Sequence, residues 1–378
     1  MKKFYLALVA LAVFAAGSAQ AADQGVKLGL GGYYKAGFGV IASDDDDAGN
    51  AQAQGLRNHS LKQDVEVWFT GETTLDNGLT VGARVELEGQ TNGDQIDETW
   101  MYMKGSFGEL RVGDEDDARR LKAVVGPMAS KVFGHADPDD TMLSFSNSSL
   151  AFLSDGGVNT FGENNTVMKV ENDSTKLIYM TPSFNGFSLA VSYAPDASQD
   201  GQNRGGLTQA DNIGGNSEAW SVAGAYDGKW DSTKVMASLG YTTSNNEVAG
   251  ADDVSAWHAG LGFGFGAFMV GGSYGHLNNE FGNDLDVKVW ELSGTYTTGP
   301  YTLGLGWSHG NYEVTATQEP ELDTVAVSGS YAMGPGITLD AAVAFNQYDN
   351  DGTAAIAAGA GTDDYDSTSV MVGSSIKF

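Results

Sequence analysis

Among side chains that can act as acids, bases or ligands, carboxylates are the ones that this sequence concentrates most. Asp44 to Asp47 form an unbroken run, and one long segment carries two further acidic groups. Those groups are Asp114, Glu115, Asp116 and Asp117, followed by Asp137, Asp139 and Asp140. Such oxygen ligands suit hard cations like Ca²⁺, but the spacing of an EF-hand loop is missing. We therefore predict solvated acidic loops with weak Ca²⁺ binding at most, and no resident cofactor.

Enzymatic chemistry has little support in the sequence. The five histidines are scattered and form no H-x-x-x-H pair that would indicate a zinc site. No G-x-S-x-G motif marks a serine nucleophile. Because the sequence contains no cysteine, thiolate catalysis and disulfides are excluded. We predict no catalytic residue and no metal site.

The first residues are typical of an export signal. Lys2 and Lys3 precede an apolar run over residues 4–16, and small residues follow at 19–22. The run is shorter than the roughly 20 residues of a membrane-spanning helix. We predict a cleaved signal peptide over residues 1–22 and one domain over 23–378. A buried N-terminal helix is the alternative, which the order of charge, apolar run and small residues disfavours.

Period-two alternation is the main structural signal. In residues 79–88, apolar side chains occupy every second position, and charged, threonine or glycine residues occupy the others. Residues 28–38, 64–72 and 369–378 repeat the pattern. Successive side chains of a strand point to opposite faces, so these segments predict strands with one apolar and one polar face.

Short and long connections alternate between the predicted strands. The short turns lie at 76–78, 106–108, 184–186, 227–229, 265–266, 298–300 and 334–336. The long polar connections lie near 42–60, 90–95, 114–173, 195–217, 243–253, 276–285, 311–320 and 348–363. These connections predict about sixteen strands in an all-β, antiparallel up-and-down transmembrane barrel. A soluble β-sandwich is the alternative, with more even loop lengths and sheet edges to protect.

Aromatic residues recur near the predicted strand ends, where a barrel places girdles at the lipid headgroups. They are Tyr33, Tyr34, Trp100, Tyr102, Tyr179, Phe184, Phe187, Tyr193, Tyr226, Trp230, Tyr241, Tyr296, Tyr301, Trp307 and Tyr331.

The parity of a residue, its odd or even position along a strand, assigns several charged residues to the polar, lumen-facing side of the early strands. The predicted basic wall consists of Lys35, Arg84 and Arg111. The carboxylates Glu66, Glu86 and Glu88 share that face. Arg57, Arg119 and Arg120 lie in loops, so their orientation stays open.

Two segments carry a family resemblance. Residues 97–113 (DETWMYMKGSFGELRVG) and 26–34 (VKLGLGGYY) resemble strands of the general diffusion porins of Proteobacteria, and the acidity and glycine content are similar to the α-proteobacterial branch. The resemblance implies a 16-stranded homotrimer in the Gram-negative outer membrane. It also implies that loop 114–173 folds into the lumen as the constriction, with its carboxylates facing a basic wall. Phe378 is similar to the signal read by the barrel-assembly machinery.

The expected function is a water-filled channel for passive diffusion of ions and small hydrophilic solutes. Loss of Lys2 and Lys3 changes the formal net charge from −29 to −31, which favours mild cation selectivity and argues against nucleic-acid partners. Expected partners are outer-membrane lipid and lipopolysaccharide. The alternatives are a substrate-selective channel and, less favoured, an outer-membrane enzyme or a structural or adhesion barrel.

Overall fold

The described part of the protein is a ring of sixteen strands with one short helix. The computed structural model describes residues 25–43, 58–89, 95–136, 142–143, 164–171, 173–197, 215–279, 285–313, 316–317, 319–349 and 365–378. The predicted signal peptide lies outside these residues. The strands are β1 (Lys27–Ser43), β2 (His59–Thr74), β3 (Thr80–Glu88), β4 (Ile96–Gly105), β5 (Gly108–Asp114), β6 (Thr175–Met180), β7 (Phe187–Asp196), β8 (Asn216–Trp230), β9 (Thr233–Asn246), β10 (Val254–Phe265), β11 (Phe268–Asn278), β12 (Val287–Thr298), β13 (Tyr301–Tyr312), β14 (Glu321–Gly334), β15 (Ile337–Asp349) and β16 (Tyr365–Lys377). The helix α1 spans Ala118–Leu121.

The strands close into a barrel in which each one pairs antiparallel with its neighbours in sequence. The ring is completed by β1 and β16, with Tyr34 opposite Ile376 and Lys35 opposite Ser375. Phe378 extends this seam, because its backbone N–H donates to the carbonyl of Gly32 and its carbonyl accepts from the Gly32 N–H, both at 3.0 Å. A closed ring leaves no strand edge with unpaired backbone groups. The predicted fold class and strand number are confirmed.

The two faces of the barrel follow the sequence alternation. On β9, Leu239 is 64% exposed on the outer face, whereas its inward neighbours Ser238 and Thr242 are buried. Since none of the described residues covers the outer face, its apolar residues suit contact with lipid. Among the described residues, no helix is long and apolar enough to cross a membrane.

One predicted turn is wrong. Residues 227–229 belong to β8, where Gly228 pairs with Val235, and the chain reverses at residues 231–232. Asp-Gly is a strong hairpin signal, but here glycine accommodates the ring of Tyr226, whose hydroxyl and ring carbons occupy the space of a Cβ. Asp231 supplies the positive φ of the turn instead, at 56°. The other six short turns lie where the sequence predicts them.

Part of the interior is apolar, which the expectation of a polar inner face did not include. Met168 and Val170 of the third loop pack on inward residues of β10–β15, among them Leu277, Val287 and Leu322. A second cluster joins loop residues at 132, 133 and 143 to inward residues of β14–β16. The buried core therefore lies between the third loop and the wall.

We predict that the two faces of β14 respond differently to charge. Val327 lies on the outer face near the middle of the strand and is 52% exposed, so Val327→Lys places an ammonium in hydrocarbon and lowers the free energy of unfolding by about 2–4 kcal/mol. Ser330→Lys is the control, because Ser330 lies on the inner face opposite Asp340 and should change stability by less than about 1 kcal/mol. Urea unfolding in lipid vesicles measures both; equal losses would contradict the assignment of faces.

Candidate functional site: the internal loop and the facing wall

After β5 the chain turns into the barrel and follows its inner wall. The backbone N–H groups of Ala118 and Arg119 donate to the hydroxyls of Ser192 and Ser221 on β7 and β8, at 3.0 and 2.9 Å. Val124 donates in the same way to a serine on β9 at 2.8 Å. Inward serines therefore supply acceptors for a loop backbone that has no strand partner.

The same path continues around the ring. The Gly126 N–H donates to Glu291 on β12 at 2.6 Å, and the Lys131 N–H donates to Asp340 on β15 at 2.8 Å. Phe133 reaches β1, where its ring lies against Gly37. The loop thus lines the wall from β6 round to β1, and β2–β5 form the rest of the ring.

Glycines on the inner wall allow this close approach. A Cβ on Gly260 would overlap the carbonyl oxygen of Val124, and one on Gly275 would overlap that of Thr166. Gly304 and Gly306 face other loop residues in the same way. The abundance of glycine is evident from the sequence, but its link to the loop is not. The signal that could have shown it is the position of glycines on the inward-facing side of β10, β11 and β13.

Glu291 is the most heavily bonded anchor of the loop. Its buried carboxylate accepts from the Gly126 N–H, from the Ser273 hydroxyl at 2.5 Å, and pairs with His135 Nε2 at 3.2 Å. Ser273 in turn bonds Thr166 at 2.6 Å. One wall carboxylate therefore ties together three separate stretches of the loop.

A second anchor surrounds α1. Asp117 caps the helix by accepting from the Arg120 N–H at 2.8 Å, and it also accepts from the Thr242 hydroxyl at 2.6 Å. Arg119 is 1% exposed and donates from Nε to Thr242 at 3.0 Å. The orientation of this arginine, left open by the sequence, is towards the wall.

The predicted acidic side of the constriction is largely engaged at the root of the loop. Asp114 ends β5 and accepts from Thr99 and Thr175, at 3.2 and 2.6 Å. Glu115 pairs with Arg111. Like Asp117, both are buried, so the structure places these three against protein and not across open lumen.

Asp116 is the partly exposed member of this group. It pairs with Arg120 at 2.5 Å. Burial opposes its ionisation, but Arg120 and Lys169 outweigh that effect and hold the pKa of the Asp116 carboxyl below its ordinary value. Asp137, Asp139 and Asp140, also predicted for the constriction, lie outside the described residues.

The predicted basic wall lies on the inner face, and each cation there has an acidic partner. Lys35 pairs with Asp64 at 3.3 Å. Arg84 pairs with Glu86. Arg111 pairs with Glu109 at 2.7 Å, in addition to its contact with Glu115.

Carboxylates also crowd this wall. Glu66 lies opposite Glu88 in the register of β2 and β3, and both approach Asp97, with one oxygen of each residue within 4.8 Å of the others. Glu98, Asp116 and Asp173 form a similar group beside the root of the loop. Such groups offer hard oxygen ligands of the kind that Ca²⁺ prefers.

Three aromatic rings that the sequence placed in the outer girdle, those of Tyr33, Trp100 and Tyr102, lie on the inner wall instead. Trp100 shares inward parity with its partner Arg84 and is 9% exposed. Its indole lies under two guanidinium groups, with centroid distances of 5.3 Å to Arg84 Cζ and 5.2 Å to Arg111 Cζ. Trp68 contacts Arg84 at 4.5 Å. The alternation that placed Arg84 inward could have placed Trp68 and Trp100 inward as well.

The loop also contributes lysines that the sequence did not single out, and Lys122 is the one beside the basic wall. Lys122 lies close enough to Arg111 for their charges to interact. Burial, reinforced by the positive charge of Arg111, holds the pKa of Lys122 below its ordinary value. The described constriction therefore has basic groups on both its wall and its loop.

A closed barrel with an oily outer face, a charged inner wall and an internal loop defines a channel protein of an outer membrane. A family model described as Gram-negative porin matches residues 7–377. The chain belongs to this family, as its sequence predicts. It is an outer-membrane porin whose water-filled channel passes small solutes by passive diffusion.

Individual relatives have low sequence identity, but the matches extend over most of the chain. A "monosaccharide porin" of Halomonas sp. is 26% identical over 315 residues, which cover 72% of this chain and 79% of the relative. The "major outer membrane protein" of Halomonas elongata has the same identity and coverage. Among solved structures, the anion-selective porin of Comamonas acidovorans has a TM-score of 0.61 at 16% identity, covering 93% of this chain and 100% of that chain. OmpT of Vibrio cholerae, in a trimer form, has a TM-score of 0.57 at 14% identity, covering 94% and 100%.

We predict that Glu291 keeps the loop in place. Glu291→Leu leaves the Gly126 N–H, Ser273 and His135 without their buried acceptor, so the free energy of unfolding should fall by about 3 kcal/mol and single-channel current should become noisier. Asp323→Leu is the control: it removes a carboxylate paired with His309 on the partly exposed outer face and should cost no more than about 1 kcal/mol. Urea unfolding and bilayer recordings test both variants, and a quiet, fully stable Glu291→Leu channel would refute the role.

We also predict that the glycine contacts set the position of the loop. Gly260→Ala forces Val124 away from the wall, which should cost about 1–3 kcal/mol and change the single-channel conductance. Gly294→Ala is the matched control, since its new methyl group lies on the outer face and would meet Val270 Cγ1 at 3.3 Å and the Met269 carbonyl oxygen at 3.6 Å, without overlapping backbone. Unchanged conductance and stability in Gly260→Ala would show that the loop does not lie on this glycine.

Proposed function

We propose that this porin prefers cations mildly over anions. The mature chain carries a strongly negative net charge, and inward carboxylates outnumber inward cations on β2–β4. The carboxylates are Asp64, Glu66, Glu72, Glu86, Glu88 and Glu98, and the cations are Lys62, Arg84 and Lys104. Rows of carboxylates along a pore favour cations, because the local potential enriches them.

The crowding of acids on β2–β4 carries this proposal. Glu66, Glu88 and Asp97 lie together, whereas Arg84 is already paired with Glu86. The anion-selective Comamonas porin has the same fold. The fold alone therefore does not determine ion preference, which depends on the side chains that line the channel.

A second candidate is a preference for monosaccharides among the permeating solutes. The Halomonas relative is described as a monosaccharide porin. In this chain, the inner wall offers the aromatic side chains of Tyr33 and Trp68, whose centroids lie 6.4 Å apart, beside paired charges that can both donate and accept hydrogen bonds. Saturable block of ion current by a hexose would favour this candidate over unselective diffusion.

We infer that the barrel functions as a homotrimer surrounded by outer-membrane lipid and lipopolysaccharide. The related OmpT structure is of a trimer form, and the continuous apolar outer face provides area for both protein and lipid contacts. Phe378, bonded to Gly32 at the seam, is the proposed signal for the barrel-assembly machinery. Transport requires no catalysis in this proposal, and the buried His135 has a structural partner in Glu291.

Calcium binding stays a prediction. The acidic run at residues 44–47 lies outside the described residues. The carboxylate groups around Glu66 and Glu98 provide suitable oxygen ligands inside the barrel. A weakly bound divalent cation there would reduce the proposed cation preference, because it would neutralise part of the acidic wall.

Reversal potentials in a KCl gradient test the ion preference. We expect a K⁺ to Cl⁻ permeability ratio above one, falling towards one when Glu66→Gln and Glu88→Gln are combined, because these carboxylates lie on the inner wall. Asp323→Asn removes the same kind of charge from the outer face and should leave the ratio unchanged. A ratio below one for the unaltered protein would refute the proposal, and recordings in chelator show whether bound Ca²⁺ contributes.

A further inference from the structure

Trp100 has a low exposure for a side chain on β2–β5, the part of the wall that the internal loop does not line. Its strand neighbours Tyr102 and Lys104 on the same face are more exposed. The groups that lie over it come from the two flanking strands: Arg84 from β3 and Arg111 from β5. One indole therefore supports two cations that would otherwise repel each other.

The contacts have the form expected of cation–π interactions. Both Cζ atoms lie within about 6 Å of the ring centroid, the range in which an aromatic face attracts a guanidinium. Arg84 also lies 4.5 Å from the ring of Trp68, so it is held by two indoles. Planar guanidinium groups stack on such rings, whereas an ammonium acts as a compact, strongly hydrated charge.

The backbone brings the ring and the arginines together. Gly113 on β5 is the register partner of Trp100 and has a φ of +146°, in a region that side chains rarely adopt. A Cβ at Gly113 would lie 2.6 Å from the Cα of Trp100 and 2.9 Å from its Cβ. This close approach sets Arg111, two residues earlier on the same strand, beside the indole.

Carboxylates compete for both arginines. Glu86 pairs with Arg84, and Glu109 and Glu115 pair with Arg111. The Glu66 carboxyl also lies close enough to Arg84 for an electrostatic interaction, and Lys122 lies close to Arg111. Without the ring of Trp100, both guanidiniums would lose the aromatic face that fixes their orientation among these acids.

We propose that Trp100 is a positioning residue that holds Arg84 and Arg111 as a fixed pair of positive charges on the channel wall, and that this pair sustains the anion share of the current. This role of Trp100 in selectivity does not depend on whether the unaltered channel prefers cations or anions. Trp100 acts through the arginines and needs no contact with the permeating ion.

Substitutions at Trp100 give the direct test. Trp100→Leu removes the ring and should raise the K⁺ to Cl⁻ permeability ratio by about twofold, as expected for loss of a modest cation–π contact on each arginine. Trp100→Phe keeps an aromatic face and should stay close to the unaltered protein. Trp290→Leu, which removes a lipid-facing indole of 37% exposure, controls for loss of stability alone. A folded Trp100→Leu channel with an unchanged ratio would overturn the proposal.

Charge-conserving variants decide the question if Trp100→Leu does not fold. Arg84→Lys and Arg111→Lys keep the charge but lose the guanidinium contact with the ring, so combining them should raise the ratio in the same direction as Trp100→Leu. Combined Arg84→Gln and Arg111→Gln should set the upper limit. An unchanged ratio in the double lysine variant would overturn the proposal, whereas an anion preference of the unaltered protein would overturn only the cation preference proposed above.

Discussion

A backbone amide in hydrocarbon has no water with which to form a hydrogen bond. The pairing of β1 with β16 closes the barrel, so that the strands satisfy one another's backbone groups. Every strand then has two neighbours, and no edge remains. Once the ring is closed, alternate side chains must face lipid on one side and the interior on the other. The oily exterior and the charged interior are therefore two consequences of one closure, and the Phe378–Gly32 bonds extend it beyond the last strand residue.

Closure creates a second problem, because a loop that enters the barrel brings unpaired backbone groups with it. The wall resolves this with short polar side chains and with glycines. Ser192, Ser221 and Glu291 accept loop N–H groups, and Gly260 and Gly275 let the loop lie directly on the strands. Apolar packing around Phe133 and Met168 adds burial between these polar anchors. The position of the constriction is thus a property of the wall from β6 to β1 as much as of the loop.

The sequence predicts the ring well because strand period, turn residues and loop length are local signals. It predicts less where one local signal has two physical uses, as at Gly228, which makes room for Tyr226 and not for a turn. It also assigns a face without naming a partner. Parity placed Arg84 inward correctly, but Asp114 and Asp117 bond to Thr175 and Thr242, which lie far from them in sequence. Parity could have moved Trp100 inward, yet only the assembled wall shows it under two arginines.

Charge on this wall is organised in pairs, and pairing changes what each residue contributes. An arginine bonded to a carboxylate adds little net potential at a distance, so counting charges overstates its effect on a passing ion. Its influence also depends on where and in which orientation the pair is held, and neutral neighbours contribute to that here: indole rings beside Arg84 and Arg111, and a glycine that lets β5 approach β4. Since distant porins share the same barrel, changes in such uncharged supports can alter ion preference without altering the fold or the number of charges.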